Sequence, residues 1–442
     1  MKVKALSRSS NDYVRERSQD LHKVQRNLNP TIHPFEQGRE YVRALNTVKL
    51  ERMFAKPFVG ALNGHIDGVY SMAKHPTRLA SMISGSGDGE IRVWDISDQR
   101  TTWSANAHNG IVQGVCAGAT DTSRFLSCSQ DKTVKIWDTN SGSDPIHTYV
   151  GKYAFMSLSH HRKDPLFATA GNSVDVWDES RSEPIHEFEW GADSYQSVKF
   201  NQVETNILAS TGTDRTIVLY DLRTSQPISK VVMAMRTNAI AWNPIEAFTF
   251  AAANEDHNTY LFDMRNMESA HNVFKDHVSA VMDVDFAPTG QEIVTGSYDR
   301  TLRLYNINQG HSRDVYHTKR MQRIFSVQFS MDSKFVLSGS DDGNIRLWKA
   351  NASEKLGVKD WRERHHLAYA ASLKERFKHM DEIRKIDRHR PLPGDVRRAD
   401  RMKKTILSSE KRKDENRRKH SKKYAEEKRI PERKKAIIGV AK

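Results

Sequence analysis

The stretch SGSGDGEIRVWD, Ser84 to Asp95, decides the fold. A run ending in small residues meets the turn Gly87-Asp88-Gly89, and an alternating run follows it to Trp94-Asp95. Short polar or Cβ-less residues tolerate turn backbone, so the stretch reads as strand, tight turn, strand. In the second strand Ile91 and Val93 face one side of the sheet, and Arg92 and Trp94 the other. The same skeleton, an Asp and six residues later an aromatic, recurs from Asp131 to Trp137, Asp214 to Tyr220 and Asp256 to Phe262. It recurs again from Asp299 to Tyr305 and Asp342 to Trp348, and a degenerate copy keeps Trp177-Asp178 but has Gly171 at the turn. Successive aromatic positions lie 40 to 43 residues apart.

Seven copies at this period predict an all-β chain, a seven-bladed β-propeller of the WD-repeat type. The upstream dipeptides Gly64-His65, Ala107-His108 and Asp276-His277 precede their turn Asp by 22 or 23 residues. In such propellers a His, a strand Ser or Thr, the turn Asp and the strand Trp form a buried hydrogen-bonded set. His65, Asp88 and Trp94 are expected to form one, and His108, Asp131 and Trp137 another. A catalytic His/Asp pair is the competing reading, but the pairing repeats blade after blade, as scaffolds do and active sites do not. No phosphate-cradling loop, nucleophile motif or metal-ligand spacing stands out, so no catalytic residue, metal or cofactor is expected. After Trp348 the last blade is one strand short. VKLERMFAKPFVGAL, Val48 to Leu62, can supply that strand and cover the open edge.

Charge divides the chain. Residues 350–442 hold 30 Lys and Arg against 15 Asp and Glu, leaving 39 against 40 in the remainder. A near-neutral body with a basic end suggests a scaffold that grips a polyanion through that end. The expected organisation is an extended flank over 1–47, interrupted by Pro30, Pro34 and Gly38, and a propeller over 48–349. A helical segment follows over 350–396, then a basic tail over 397–442, helical or disordered. Trp361, Tyr369, Leu373, Phe377 and Met380 form an apolar stripe at helical spacing, expected to pack on the propeller or a partner. In the tail, Lys411, Arg412, Lys413, Arg417, Arg418, Lys419, Lys422 and Lys423, with Arg433, Lys434 and Lys435, are dense enough to neutralise phosphates. Cys116 and Cys128 sit in apolar surroundings and read as packed thiols in a reducing compartment. No run approaches the roughly 18 apolar residues that span a bilayer, so no membrane contact is expected.

The flanks also carry a resemblance. LKERFKHMDEIRKIDRHRPLP (Leu373 to Pro393), KRKDENRRKHSKK (Lys411 to Lys423) and ERKKAIIGV (Glu432 to Val440) resemble the Sof-type WD-repeat proteins of the small-subunit processome. MKVKALSRS, LNPTIHPFEQGREYVRALN and KPFVGALNGHIDGV match that family's opening. The resemblance implies a nuclear, nucleolar ribosome biogenesis factor needed for pre-rRNA processing and small-subunit assembly. Its propeller would dock processome proteins, and its tail would contact pre-rRNA and small nucleolar RNP components. A second resemblance lies in Tyr220-Asp221-Leu222-Arg223 and Phe262-Asp263-Met264-Arg265. Consecutive aromatic-Asp-x-Arg blade ends look like the double box of cullin-RING ligase receptors, in which Asp221, Arg223, Asp263 and Arg265 would meet the ligase adaptor. Tyr and Phe stand where that box has Trp.

Overall fold

A computed structural model describes residues 31–118, 123–190, 193–224, 226–421 and 430–441. Lys422 and Lys423 fall outside them. Seven antiparallel sheets form the propeller; six have their strands in chain order from inner to outer, and the seventh takes its outer strand from the start of the propeller sequence. Blade 1 comprises Val69–Lys74, Ser81–Ser86, Glu90–Asp95 and Arg100–Asn106, and the next five blades repeat the plan. Burial on both faces marks the middle of each sheet: in the second strand of blade 1 five of six residues are buried, because the sheet lies between two neighbours. Side chains of adjacent blades share one core. Phe125 and Trp137 of blade 2 pack with Ile83, Ile91 and Val93 of blade 1. Around the inner strands, side chains also staple blade to blade. Asp283 accepts the amide of Val327 at 2.7 Å, and burial pushes its carboxyl up to about 6.

The ring closes as the repeat count requires. Phe58–Asn63 pairs antiparallel with Asn344–Lys349, placing Phe58 opposite Trp348 and Leu62 opposite Ile345. The closing strand is shorter than Val48–Leu62, because Val48 to Met53 belong to a helix, α1 (Glu36–Met53). That helix stands in place of the extended flank expected over residues 36–47; residues 1–30 of that expected flank lie outside the described residues. Pro34 precedes its first turn, where a missing N–H costs nothing, and Gly38 alone in the first turn costs only about 1 kcal/mol. Ala44 and Val48 supply what offsets it, both fully buried.

The chain divides into two compact units, one of them the propeller with residues from Arg390 onward. The other unit joins α1 to α2 (Trp361–Arg376) and α3 (Asp381–Arg388). Ala44, Val48, Leu373 and Ile383 make its core, bordered by Tyr41, Tyr369 and Phe377. Arg376 caps it with a 2.6 Å ion pair to the buried Glu40, and Lys374 bridges Glu51 and Asp387 at 3.0 and 2.8 Å. The apolar stripe on α2 therefore finds its partner in α1. Sequence spacing shows that a face is apolar but not which distant segment covers it. Met380 stands outside the packing at 48% exposure.

The basic end is more ordered than the disordered alternative allowed. Helix α4 (Gly394–His420) runs 27 residues and buries only Val396. A single helical turn, Glu432–Lys435, leads into a strand, Ile437–Ala441, which adds a fifth strand to blade 4. No helix among the described residues is long and apolar enough to cross a membrane.

Candidate functional site

The blade sets differ in a way their spacing hides. In blade 2, His108 Nδ1 lies 2.9 Å from the Asp131 carboxylate, while its Nε2 and the indole of Trp137 both meet the Ser127 hydroxyl, at 2.8 and 2.9 Å. Thr133 holds Asp131 in place through its amide and hydroxyl, at 3.0 and 2.6 Å. Blade 6 repeats this with His277, Asp299, Thr301 and Thr295. The Asp299 carboxyl is held far below its usual range by the His277 pair, other nearby donors and Arg303, which outweigh the burial that opposes ionisation. Burial lowers the pKa of both His108 and His277, favouring the neutral ring.

Blade 1 departs from the expected set. His65 Nε2 and the Trp94 indole still converge on Ser84, each at 2.7 Å. Asp88, however, is exposed and only accepts the amide of Glu90 at 3.1 Å. Glu90 stands where blades 2 and 6 have Thr, and its carboxylate takes the aspartate's place, 3.4 Å from His65 Nδ1. The reason is chemical. Without a hydroxyl to hold it inward, the turn Asp swings to solvent, and the longer carboxylate reaches the ring. Among the described residues, donor atoms of His65, Asp88 and Glu90 lie within 4.8 Å of one another. Glu90 is engaged by Arg92 at 2.8 Å, so the trio reads as a variant blade set.

The two aromatic-Asp-x-Arg blade ends are built alike. Arg223 folds back on Asp221, with amide and Nε distances of 3.0 and 3.3 Å. Arg265 does the same on Asp263, at 3.0 Å for both, and its guanidinium lies 4.4 Å from the centre of the Phe248 ring. Each pair closes its own turn and leaves the arginine about two-thirds exposed, with side-chain values of 67 and 63%. Being exposed, such pairs contribute little to stability.

Of the basic tail residues, Lys411, Arg412, Lys413, Arg417, Arg418 and Lys419 share α4, whereas Arg433, Lys434 and Lys435 belong to the single turn before the last strand. Lys403 anchors α4 to the propeller. Its ammonium donates to the His277 carbonyl at 2.8 Å, and burial lowers its pKa. The final strand pairs with Gln226–Met233, placing Val440 opposite Val231 and Gly439 opposite Val232. Ala270 donates to the Arg433 carbonyl and Ala234 to that of Ala436, at 3.0 and 2.8 Å, and Lys275 pairs with Glu432. Sequence reasoning missed this docking. Its only signal was the β-branched run Ile437, Ile438, Val440 after a charged stretch.

A ring of seven sheets with repeated buried polar sets and ion-paired blade ends defines a WD-repeat scaffold. The chain belongs to the Sof1-like WD-repeat family: the Sof1-like domain matches residues 350–437, and the WD domain, G-beta repeat matches 56–95, 99–138, 269–306 and 309–349. Protein SOF1 of Saccharomyces cerevisiae is 51% identical over 466 residues, covering 99% of this chain and 95% of the relative. DDB1- and CUL4-associated factor 13 is 50% identical in Xenopus laevis, covering 96% of each chain, and 48% identical in Homo sapiens, covering 100% of each. The WD40 β-propeller domain of Doa1 superposes with a TM-score of 0.57 over 66% of this chain and 96% of that one, at 20% identity. That likeness is one of fold.

Proposed function

We propose that the protein is a non-enzymatic ribosome biogenesis factor of the nucleolar small-subunit processome, needed for pre-rRNA processing and small-subunit assembly. The propeller docks processome proteins, and the basic α4 contacts pre-rRNA and small nucleolar RNP components. The observation that carries this reading is kinship along nearly the whole chain with Protein SOF1, flanks as well as blades. The charge of α4 supports it, with 11 Lys and Arg against 5 Asp and Glu from Gly394 to His420. Replacing residues 394–430 by a Gly/Ser linker of equal length, with Glu432–Ala441 retained, tests it. Thermal unfolding of the propeller should stay within a few degrees of the parent, while recovery of pre-rRNA with the tagged protein in cells falls at least tenfold. Undiminished recovery would sink the reading of α4 as the RNA contact.

A second reading, as substrate receptor of a cullin-RING ligase, draws on the names of the animal relatives and on the paired turns at Asp221/Arg223 and Asp263/Arg265. Arg223→Ala with Arg265→Ala should abolish co-purification of the ligase adaptor and leave pre-ribosome association intact. Both arginines are mostly exposed, so the double variant should change stability by less than about 1 kcal/mol. Unchanged adaptor recovery would remove this role.

A further inference from the structure

Helix α4 is an unusual element to find ordered. Isolated helices draw most of their stability from an apolar face packed on the parent fold, and this one buries Val396 alone. It is anchored near its start. There Lys403 donates to the propeller at the His277 carbonyl; past its end, the chain returns to blade 5 through Arg433 and to blade 4 through Ile437–Ala441. The basic segment is therefore tethered at both ends, not a tail with one free end.

Its charges are sorted around the axis. A helix advances about 100° per residue, so positions three, four or seven apart share a face. Arg398, Arg401, Thr405, Ser408, Arg412 and Lys419 fall on one exposed line, on the side opposite Val396 and Lys403. Asp400, Glu410 and Asp414 fall on the Val396 side instead. Asn416 falls on the same line and Glu415 on its border, so the outer line carries cationic and uncharged polar groups and spans about 30 Å at 1.5 Å per residue.

We infer that this line is a binding ridge for the sugar-phosphate backbone of double-stranded RNA, which rests on the reading of α4 as the RNA contact. A helical ridge anchored near its start matches a backbone that is already stiff. A single strand would have to be straightened to follow it, and no aromatic side chain lies along the ridge for bases to stack on. Arg and Lys reach phosphate oxygens, while Thr405 and Ser408, whose hydroxyls donate to the Arg401 and Thr405 carbonyls at 3.0 and 2.8 Å, keep the line between them free of negative charge. The A-form major groove is too narrow for side chains to read, so recognition is by backbone and independent of sequence. Affinity falls steeply with salt as counterions are released.

The test uses the full chain, a 20-base-pair RNA duplex, and one of its strands alone, read by fluorescence anisotropy. Arg401→Glu with Arg412→Glu should weaken duplex binding at least tenfold. Lys413→Glu with Arg417→Glu, which change the charge equally on a different flank, should weaken it less than threefold. Circular dichroism and melting of both variants should match the parent. Equal losses from the two pairs would overturn the ridge while leaving RNA binding by α4 in place. Equal or tighter binding of the single strand would overturn the duplex assignment. Binding of neither RNA by the parent chain would overturn the ridge and remove its support in the RNA-contact reading as well.

Discussion

Asp299→Ala will destabilise the propeller by about 3 kcal/mol or more, whereas Asp88→Ala will cost less than about 1 kcal/mol. The two residues hold equivalent places in the repeat, so the contrast isolates environment from sequence. The Asp299 side chain is 3% exposed and accepts from His277, from the amide of Val278 at 3.3 Å, and from Thr301. Alanine would strand these donors in a dry site, and each unmet buried donor costs about 1–3 kcal/mol. Asp88 accepts one exposed amide, a loss water replaces. Denaturant unfolding, with the dependence on denaturant unchanged between variants, measures both. Equal losses would show that Asp88 turns inward in solution and that blade 1 carries the same set as blades 2 and 6.

Leu62→Asp will have the largest effect of any single substitution considered. The strand Phe58–Asn63 comes from the far end of the sequence and closes blade 7. Leu62 is 1% exposed in a cluster with Val69, Met82, Trp94, Leu337, Ile345 and Leu347, which spans blades 7 and 1. Leu62→Ala should cost about 2–5 kcal/mol through lost burial and a cavity. The aspartate adds an unpaired charge in the same place, whose desolvation is worth several kcal/mol more. Against a typical domain stability of about 5–15 kcal/mol, the expected result is an open ring without a cooperative transition, exposing the edge of Asn344–Lys349. Calorimetry of the two variants distinguishes them. A cooperative transition for Leu62→Asp near that of Leu62→Ala would mean that closure is not what holds the ring together.

Much of the molecule was legible in one dimension because its rules are local and repeated. Seven turn-to-aromatic spacings give seven blades, and a last blade short by one strand demands an outer strand from elsewhere. Trp94, Trp137, Trp177 and Trp348 each donate to a Ser or Thr of the neighbouring strand, as a repeated polar set requires. The exceptions arise where a residue's partner is not fixed by the repeat. Glu90 displaces Asp88 because one position in the turn lacks a hydroxyl, a difference of residue type that spacing does not register.

The unequal partition between a neutral body and a basic end follows from the order of residues along the chain, and so does the periodicity that builds the ring. Which surfaces the flanking segments cover was decided only by folding. The stripe of Tyr369, Leu373 and Phe377 announces a buried face, yet its cover is α1, more than 300 residues earlier in the chain. The run at Ile437 to Val440 is too short to declare itself, and only the open outer edge of blade 4 turns it into a strand. Local alternation and turn chemistry are properties of a few neighbouring residues, so sequence determines them. Pairing between distant segments depends on which edges and faces the rest of the fold leaves uncovered, and that is a property of the folded whole.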